Sequence, residues 1–125
     1  MAEKREAAGH GELSVVRTDV DGITVLGLDG EIDHQSVSGL TRALAPADAS
    51  VGRRVVIDLS RVTFMDSSGV NALIAAFQTA RASGGWLRLV VVPGAVLRTL
   101  QLVGLDTVIP FHPTPEDALA TRPGQ

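Results

Sequence analysis

From residue 54 onward the chain alternates two apolar patterns, and that alternation constrains its fold more than any other feature. Val55-Val56-Ile57, within RRVVIDLS (53–60), is a short continuous apolar run of the kind found in strands buried on both faces. In the next segment, VTFMDSSGVNALIAAFQTARASGG, the residues Val70, Leu73, Ile74 and Phe77 fall at i, i+3, i+4 and i+7. That spacing is the period of an amphipathic helix, and Gly84-Gly85 ends it. WLRLVVV (86–92) repeats the strand pattern and is closed by Pro93-Gly94. VLRTLQLVG (96–104) predicts a short helix with Val96, Leu97, Leu100 and Val103 on its apolar face, and DTVIPF (106–111) a last short strand. PTPEDALAT (113–121) predicts a terminal helix, with Thr114 as N-cap, Pro115 at the first helical position and acids in the first turn. Repeats of strand and helix build right-handed crossovers and a largely parallel sheet.

The first half adds a different element. ELSVVRT (12–18) and GITVLGLDG (22–30) flank Asp21-Gly22, a dipeptide that favours a tight hairpin turn, so one antiparallel pair joins the sheet. GEIDHQSV then reads as a loop entering a helix, with Asp33 as N-cap and Val37, Leu40, Thr41 and Leu44 on the helical face. Pro46 stops that helix, and APADASVGR is a linking loop. A chain of 125 residues is the size of one domain. The expectation is a single small α/β domain over residues 12–121, with a mixed, mostly parallel sheet, an N-terminal hairpin and packed helices. Residues 1–11 read as a disordered tail and 122–125 as a short one.

Composition excludes several functions. Fourteen acids against eleven bases leave a net charge of −3, and only 3% of residues are aromatic. Both facts argue against a nucleic-acid partner, which needs basic surface and stacking rings. Without cysteine there is no disulfide, thiol nucleophile or thiolate metal site. His10, His34 and His112 show no metal-ligand spacing, so neither metal nor cofactor is expected. No apolar run approaches the roughly 20 residues of a membrane span, and the N-terminus lacks the apolar stretch of a signal peptide. The chain therefore reads as cytoplasmic, with no membrane insertion. Lys4 is the only lysine, and GLDG and GGW lack the spacing of a phosphate-binding loop. The nucleophile elbow of serine hydrolases needs glycine two residues before the serine, where Ser67 has Met65 and Ser68 has Asp66. No enzymatic activity is expected; a small serine-dependent enzyme built on Asp58, Asp66 and the two serines is the least favoured alternative.

Attention then falls on Met65-Asp66-Ser67-Ser68-Gly69, where a strand hands over to a helix. Such a junction presents free backbone N–H groups and the positive end of the helix dipole, an environment that favours anions. Simple capping by Asp66 or Ser67 accounts for part of the motif. It does not account for Gly69, which costs ~1 kcal/mol relative to alanine inside a helical turn. A glycine beside exposed hydroxyls suits close approach by another protein or a modifying enzyme. Charge is also divided here: Glu12 to Asp66 holds nine acids and five arginines, whereas Ser67 to Leu105 holds no acid at all.

VVIDLSRVTFMDSSGVNALIAAF, then SGGWLRLVVV and LQLVGLDTVIPFHPTPEDAL, together with the earlier GEIDHQSV, resemble the STAS domain family, specifically its bacterial anti-sigma factor antagonists. The likeness runs over about residues 13–119. It implies that Ser67, directly after the aspartate, is a phosphorylation site; spacing alone does not choose between Ser67 and Ser68. It implies as partner an anti-sigma factor with a histidine-kinase-like fold that acts as a serine kinase, and a serine phosphatase that reverses the modification. The unphosphorylated form would bind the anti-sigma factor and release a sigma factor for transcription. The loop before the first helix would join the partner surface, which points to Asp33, His34 and Ser36 beside Asp66, Ser68 and Gly69. The same fold serves as a subunit of membrane transport or stress-sensing complexes, which is the alternative within the family. A monomer is expected from the size.

Overall fold

The computed structural model describes residues 13–44 and 52–120. The proposed tails, the outer bounds at Glu12 and Thr121, and Pro46 with most of the linking loop lie outside those residues. The elements run β1 (Leu13–Val20), β2 (Ile23–Ile32), α1 (Val37–Leu44), β3 (Arg54–Met65), α2 (Ser67–Ala82), β4 (Trp86–Val90) and α3 (Ala95–Leu102). A short 3-10 turn (Leu105–Thr107), β5 (Phe111–His112) and α4 (Pro115–Ala120) complete them. One five-stranded sheet has the order β1-β2-β3-β4-β5; β1 and β2 are antiparallel and the other pairs parallel. This is the mixed, mostly parallel α/β sheet that the alternation implies.

Local chemistry explains the connections. Val20 pairs with Ile23 across two residues, Asp21 and Gly22, whose φ angles of 51° and 81° suit a turn matching the twist of a hairpin. At the end of α2 the Gly85 amide donates to Ala80 O and the Gly84 amide to Arg81 O, the paired bonds of a Schellman motif. A Cβ on Gly85 would overlap the backbone of Arg53, so that residue is held to glycine by the close approach of the β3 entrance. Thr114 caps α4 as expected, its Oγ1 accepting from the Asp117 amide at 3.1 Å.

The sheet buries both faces unequally. Val55, Ile57, Leu59, Leu87 and Leu89 enter the main core with Leu40 of α1, Leu73 of α2 and Leu100 of α3. Their neighbours Val56 and Val90 point the other way and meet Ala118 of α4. Alternation along the strands therefore sorts the helices, three to one face and α4 to the other. On the α4 face Arg88 is buried at 4% exposure; its Nη1 donates to Ala118 O at 2.7 Å and its guanidinium lies 3.8 Å above the Trp86 ring. No helix among the described residues is long and apolar enough to cross a membrane.

Three sequence expectations need correction. The strand over 106–111 is instead a 3-10 turn followed by a strand of two residues: a strand would turn Thr107 to the same side as the buried Leu105 and Ile109, whereas Thr107 is exposed and the Val108 and Ile109 amides donate back to Leu105 O. Val103, expected on the apolar face of α3, lies beyond the helix and is exposed. β4 ends at Val90, so Val91 and Val92 carry on as irregular chain.

Candidate functional site

β3 hands over to α2 at Asp66. That residue has extended backbone angles (φ −103°, ψ −169°), and its Oδ1 accepts from the Ser68 amide at 2.8 Å, which makes it the N-cap. The next residue, Ser67, opens the helix with its side chain exposed, and no hydrogen bond ties its hydroxyl to another described residue. Ser68 is half-buried. Capping and exposure are thus divided between neighbours: Asp66 closes the helix end, which leaves the Ser67 hydroxyl available in water.

Gly69 has a different role from the one its sequence context implies. It is buried, and a Cβ there would stand 2.6 Å from Met65 Cγ and 2.9 Å from Ile32 Cγ2. The missing side chain admits the ends of β2 and β3 against the first turn of α2. The absence of a Cβ serves internal packing.

The loop after β2 lies beside this junction. Ile32 pairs with Met65 in the parallel ladder, and the Asp66 amide donates to Ile32 O at 3.1 Å. Asp33 and Asp66, each one residue further along, therefore begin adjacent loops at the carboxyl ends of neighbouring parallel strands, where α/β sheets place their sites. Asp33 Oδ1 accepts from the Gln35 and Ser36 amides at 2.9 Å, while the Asp33 amide donates to Ser36 Oγ at 2.9 Å. This is the reciprocal pattern of a capping box, and it leads through a turn into α1 at Val37. The bond from the Ser36 amide is the main influence holding the Asp33 carboxyl below its usual range, so Asp33 stays ionised.

Ser36 was expected on the partner surface and is instead fully buried. Its Oγ also donates to Glu31 O at 2.8 Å, tying the loop back to β2. It positions the loop and touches nothing outside. His34 is exposed and Asp33 half-buried, so both remain at the surface, on the loop next to the β3–α2 junction. Among the described residues no group of three His, Asp or Glu side chains gathers in a way that could hold a metal. One exposed side chain at this end is absent from the sequence candidates: Phe64, although the period of two that sets Val55, Ile57 and Leu59 inward already places it outward.

Residues 14–118 match the family model of the STAS domain. A Mycobacterium tuberculosis protein named anti-sigma-F factor antagonist RsfB is 35% identical over 109 residues, covering 86% of this chain and 87% of that protein. Among solved structures, an anti-sigma factor antagonist from Mycobacterium paratuberculosis aligns with a TM-score of 0.76 at 31% identity, over 90% of this chain and 95% of the other. The anti-sigma factor antagonist SpoIIAA in its unphosphorylated form aligns with a TM-score of 0.64 at 25% identity, over 84% of this chain and 92% of the other.

Proposed function

The chain belongs to the STAS domain family, and from that membership we propose that it is an anti-sigma factor antagonist switched by phosphorylation of Ser67. The unphosphorylated protein binds a kinase-like anti-sigma factor and so releases a sigma factor; phosphorylation ends the binding, and a serine phosphatase restores it. The observation that carries this reading is the exposed, unengaged hydroxyl of Ser67 at the first position of α2, beside the Asp33 loop. Its neighbour Ser68 is half-buried in the first turn and its amide is held by Asp66, which favours Ser67 as the acceptor.

Electrostatics account for a switch that leaves the fold alone. A phosphate adds about −1.5 to −2 charges at neutral pH and would sit at a helix N-terminus, where negative charge is favoured. Ser67 lies outside the core, so the added group displaces no packed side chain. The surface changes instead: bulk and charge stand next to the carboxylates of Asp66 and Asp33, and a partner seated there meets a steric and electrostatic block. Asp33 and His34 with Asp66 and Ser68 form the rim of this patch.

The test incubates the protein with purified anti-sigma factors of its source organism and ATP, then locates phosphate by mass spectrometry. Phosphate is expected on Ser67 and on no residue of Ser67→Ala. In a pull-down, Ser67→Ala should retain the anti-sigma factor and Ser67→Asp should lose it. Equal retention of both variants refutes the switch, and modification that persists in Ser67→Ala refutes the assignment of that serine.

A further inference from the structure

The chain has one tryptophan, three phenylalanines and no tyrosine. Phe77, Phe111 and Trp86 pack partly buried against the two apolar clusters, whereas Phe64 joins neither and is 49% exposed. A ring left in water gives up the burial that makes aromatic side chains valuable to a fold.

The pairing of β2 with β3 fixes the face this ring takes. Gly30 pairs with Val62, which faces the main core. An unbroken ladder would next set Glu31 opposite Thr63 and Ile32 opposite Phe64, and Phe64 would take the inward place beside Ile32. Instead, the register shifts between Gly30 and Glu31, so that Glu31 pairs with Phe64 and Ile32 with Met65. An earlier shift, between Gly27 and Asp29, also adds one residue to β3 and brings Val62 inward. The second restores the original alternation, so Met65 goes into the core and Phe64 goes out, on the faces that counting by twos from Val55, Ile57 and Leu59 gives them. Gly30 has a φ of 124°, a value side chains rarely allow, so this bulge is provided for in β2. α4, the helix on that outer face, packs at Val56 and Val90 near the other end of β3, and does not reach the ring.

The ring's surroundings describe what it would fit. It stands three residues before Ser67, at the same carboxyl-end rim as the Asp33 loop. Exposed Glu31 is its direct neighbour across the ladder, and Asp33 and Asp66 follow one residue beyond the last pair. Arg61, further back along β3, is 4.0 Å from Asp29. An apolar centre with an acidic border fits a complementary surface with an apolar pocket and a basic border.

We propose that Phe64 is the apolar anchor of the partner surface, received by an apolar pocket with basic side chains at its rim on the anti-sigma factor that phosphorylates Ser67. The inference rests on the reading of Ser67 given above and adds what supplies the affinity. Phosphorylation changes the charge at Ser67 and leaves the ring as it was, so the anchor serves the inhibitory complex and the kinase encounter alike.

The probe is the purified anti-sigma factor found to phosphorylate Ser67. Truncating a central aromatic anchor weakens binding by at least ~10-fold. Phe64→Ala is therefore expected to raise Kd by that factor and to raise KM for phosphorylation of Ser67 equally, with kcat unchanged, the mark of an interaction present before and during the reaction. Phe64→Leu should recover most of the loss. The thermal midpoint of Phe64→Ala should stay within a few degrees of the parent, because the ring packs in neither cluster. Glu31→Lys, which keeps the ring and reverses the charge beside it, should weaken binding more at low salt than at high salt. Wild-type Kd and KM in folded Phe64→Ala overturn the anchor while leaving Ser67 in place. A fall in kcat at constant KM overturns it as well, and unaltered binding by Glu31→Lys at low salt removes the basic rim. If no anti-sigma factor phosphorylates Ser67, the reading of that serine fails and the anchor fails with it.

Discussion

Gly69→Ala sets two known effects against each other. In a solvent-facing helix the change stabilises by ~1 kcal/mol, because alanine loses less backbone freedom on folding. Here the new Cβ would lie 2.6 Å from Met65 Cγ and 2.9 Å from Ile32 Cγ2, where ordinary contact begins at 3.4 Å. The neighbours must therefore withdraw by about 0.8 and 0.5 Å, which are the differences 3.4 − 2.6 and 3.4 − 2.9. Met65 is flexible and can turn away, although it is itself buried. Ile32 is β-branched, fully buried and seated in β2, so it cannot give way without moving the strand. Overpacking of this kind costs about 1–3 kcal/mol. Overpacking less the helix gain leaves a net destabilisation of up to about 2 kcal/mol, with about 1 kcal/mol expected. Urea denaturation followed by far-ultraviolet circular dichroism measures it directly. A variant more stable than the parent by ~1 kcal/mol would show that α2 has room at its first turn, and would refute the packing role of Gly69.

Other perturbations test the loop, the cap and the half-buried histidine of β5. Ser36→Ala leaves the Asp33 amide and Glu31 O without their buried partner and should cost about 1–3 kcal/mol in the same urea assay. Asp66→Ala removes the cap of α2 and should cost about 1 kcal/mol, while Asp66→Asn, which also accepts from the helix end, should cost only a fraction of that. The pKa of His112 is lowered by burial first and by Arg88 second, with Asp117 opposing. The folded state thus takes up its proton less readily than the unfolded chain, whose histidine titrates near 6.5. The stability due to neutral His112 is complete above that value and is lost as pH falls below it and through the lowered pKa. The urea midpoint should decline between pH 7.5 and 5.5, and less steeply in His112→Gln; equal slopes would show that His112 does not contribute.

The sequence by itself determines those features whose physics is local. The helical spacing of Val70, Leu73, Ile74 and Phe77 places α2, Asp21-Gly22 places the hairpin turn, and Thr114-Pro115 opens α4, because periods, turns and caps depend on residues a few positions apart. The strand–helix alternation likewise implies the parallel sheet. What a residue faces depends on a neighbour distant in the chain, and only the tertiary structure decides it. Gly69 reads as an opening for a partner until Ile32 and Met65 are found filling the space a side chain would need. Ser36 reads as a surface hydroxyl until its bonds to Asp33 and Glu31 place it inside. Val62 turns into the core, although the alternation from Val55, Ile57 and Leu59 implies the opposite face, because the pairing with β2 inserts one residue of β3 before it and a second after it. A side chain's face in a sheet has a period of two, so a single extra residue reverses it, and only the pairing with β2 reveals that residue. The Asp-Ser-Ser run is legible as a helix entrance; that this entrance lies next to the Asp33 loop follows from the adjacent carboxyl ends of β2 and β3.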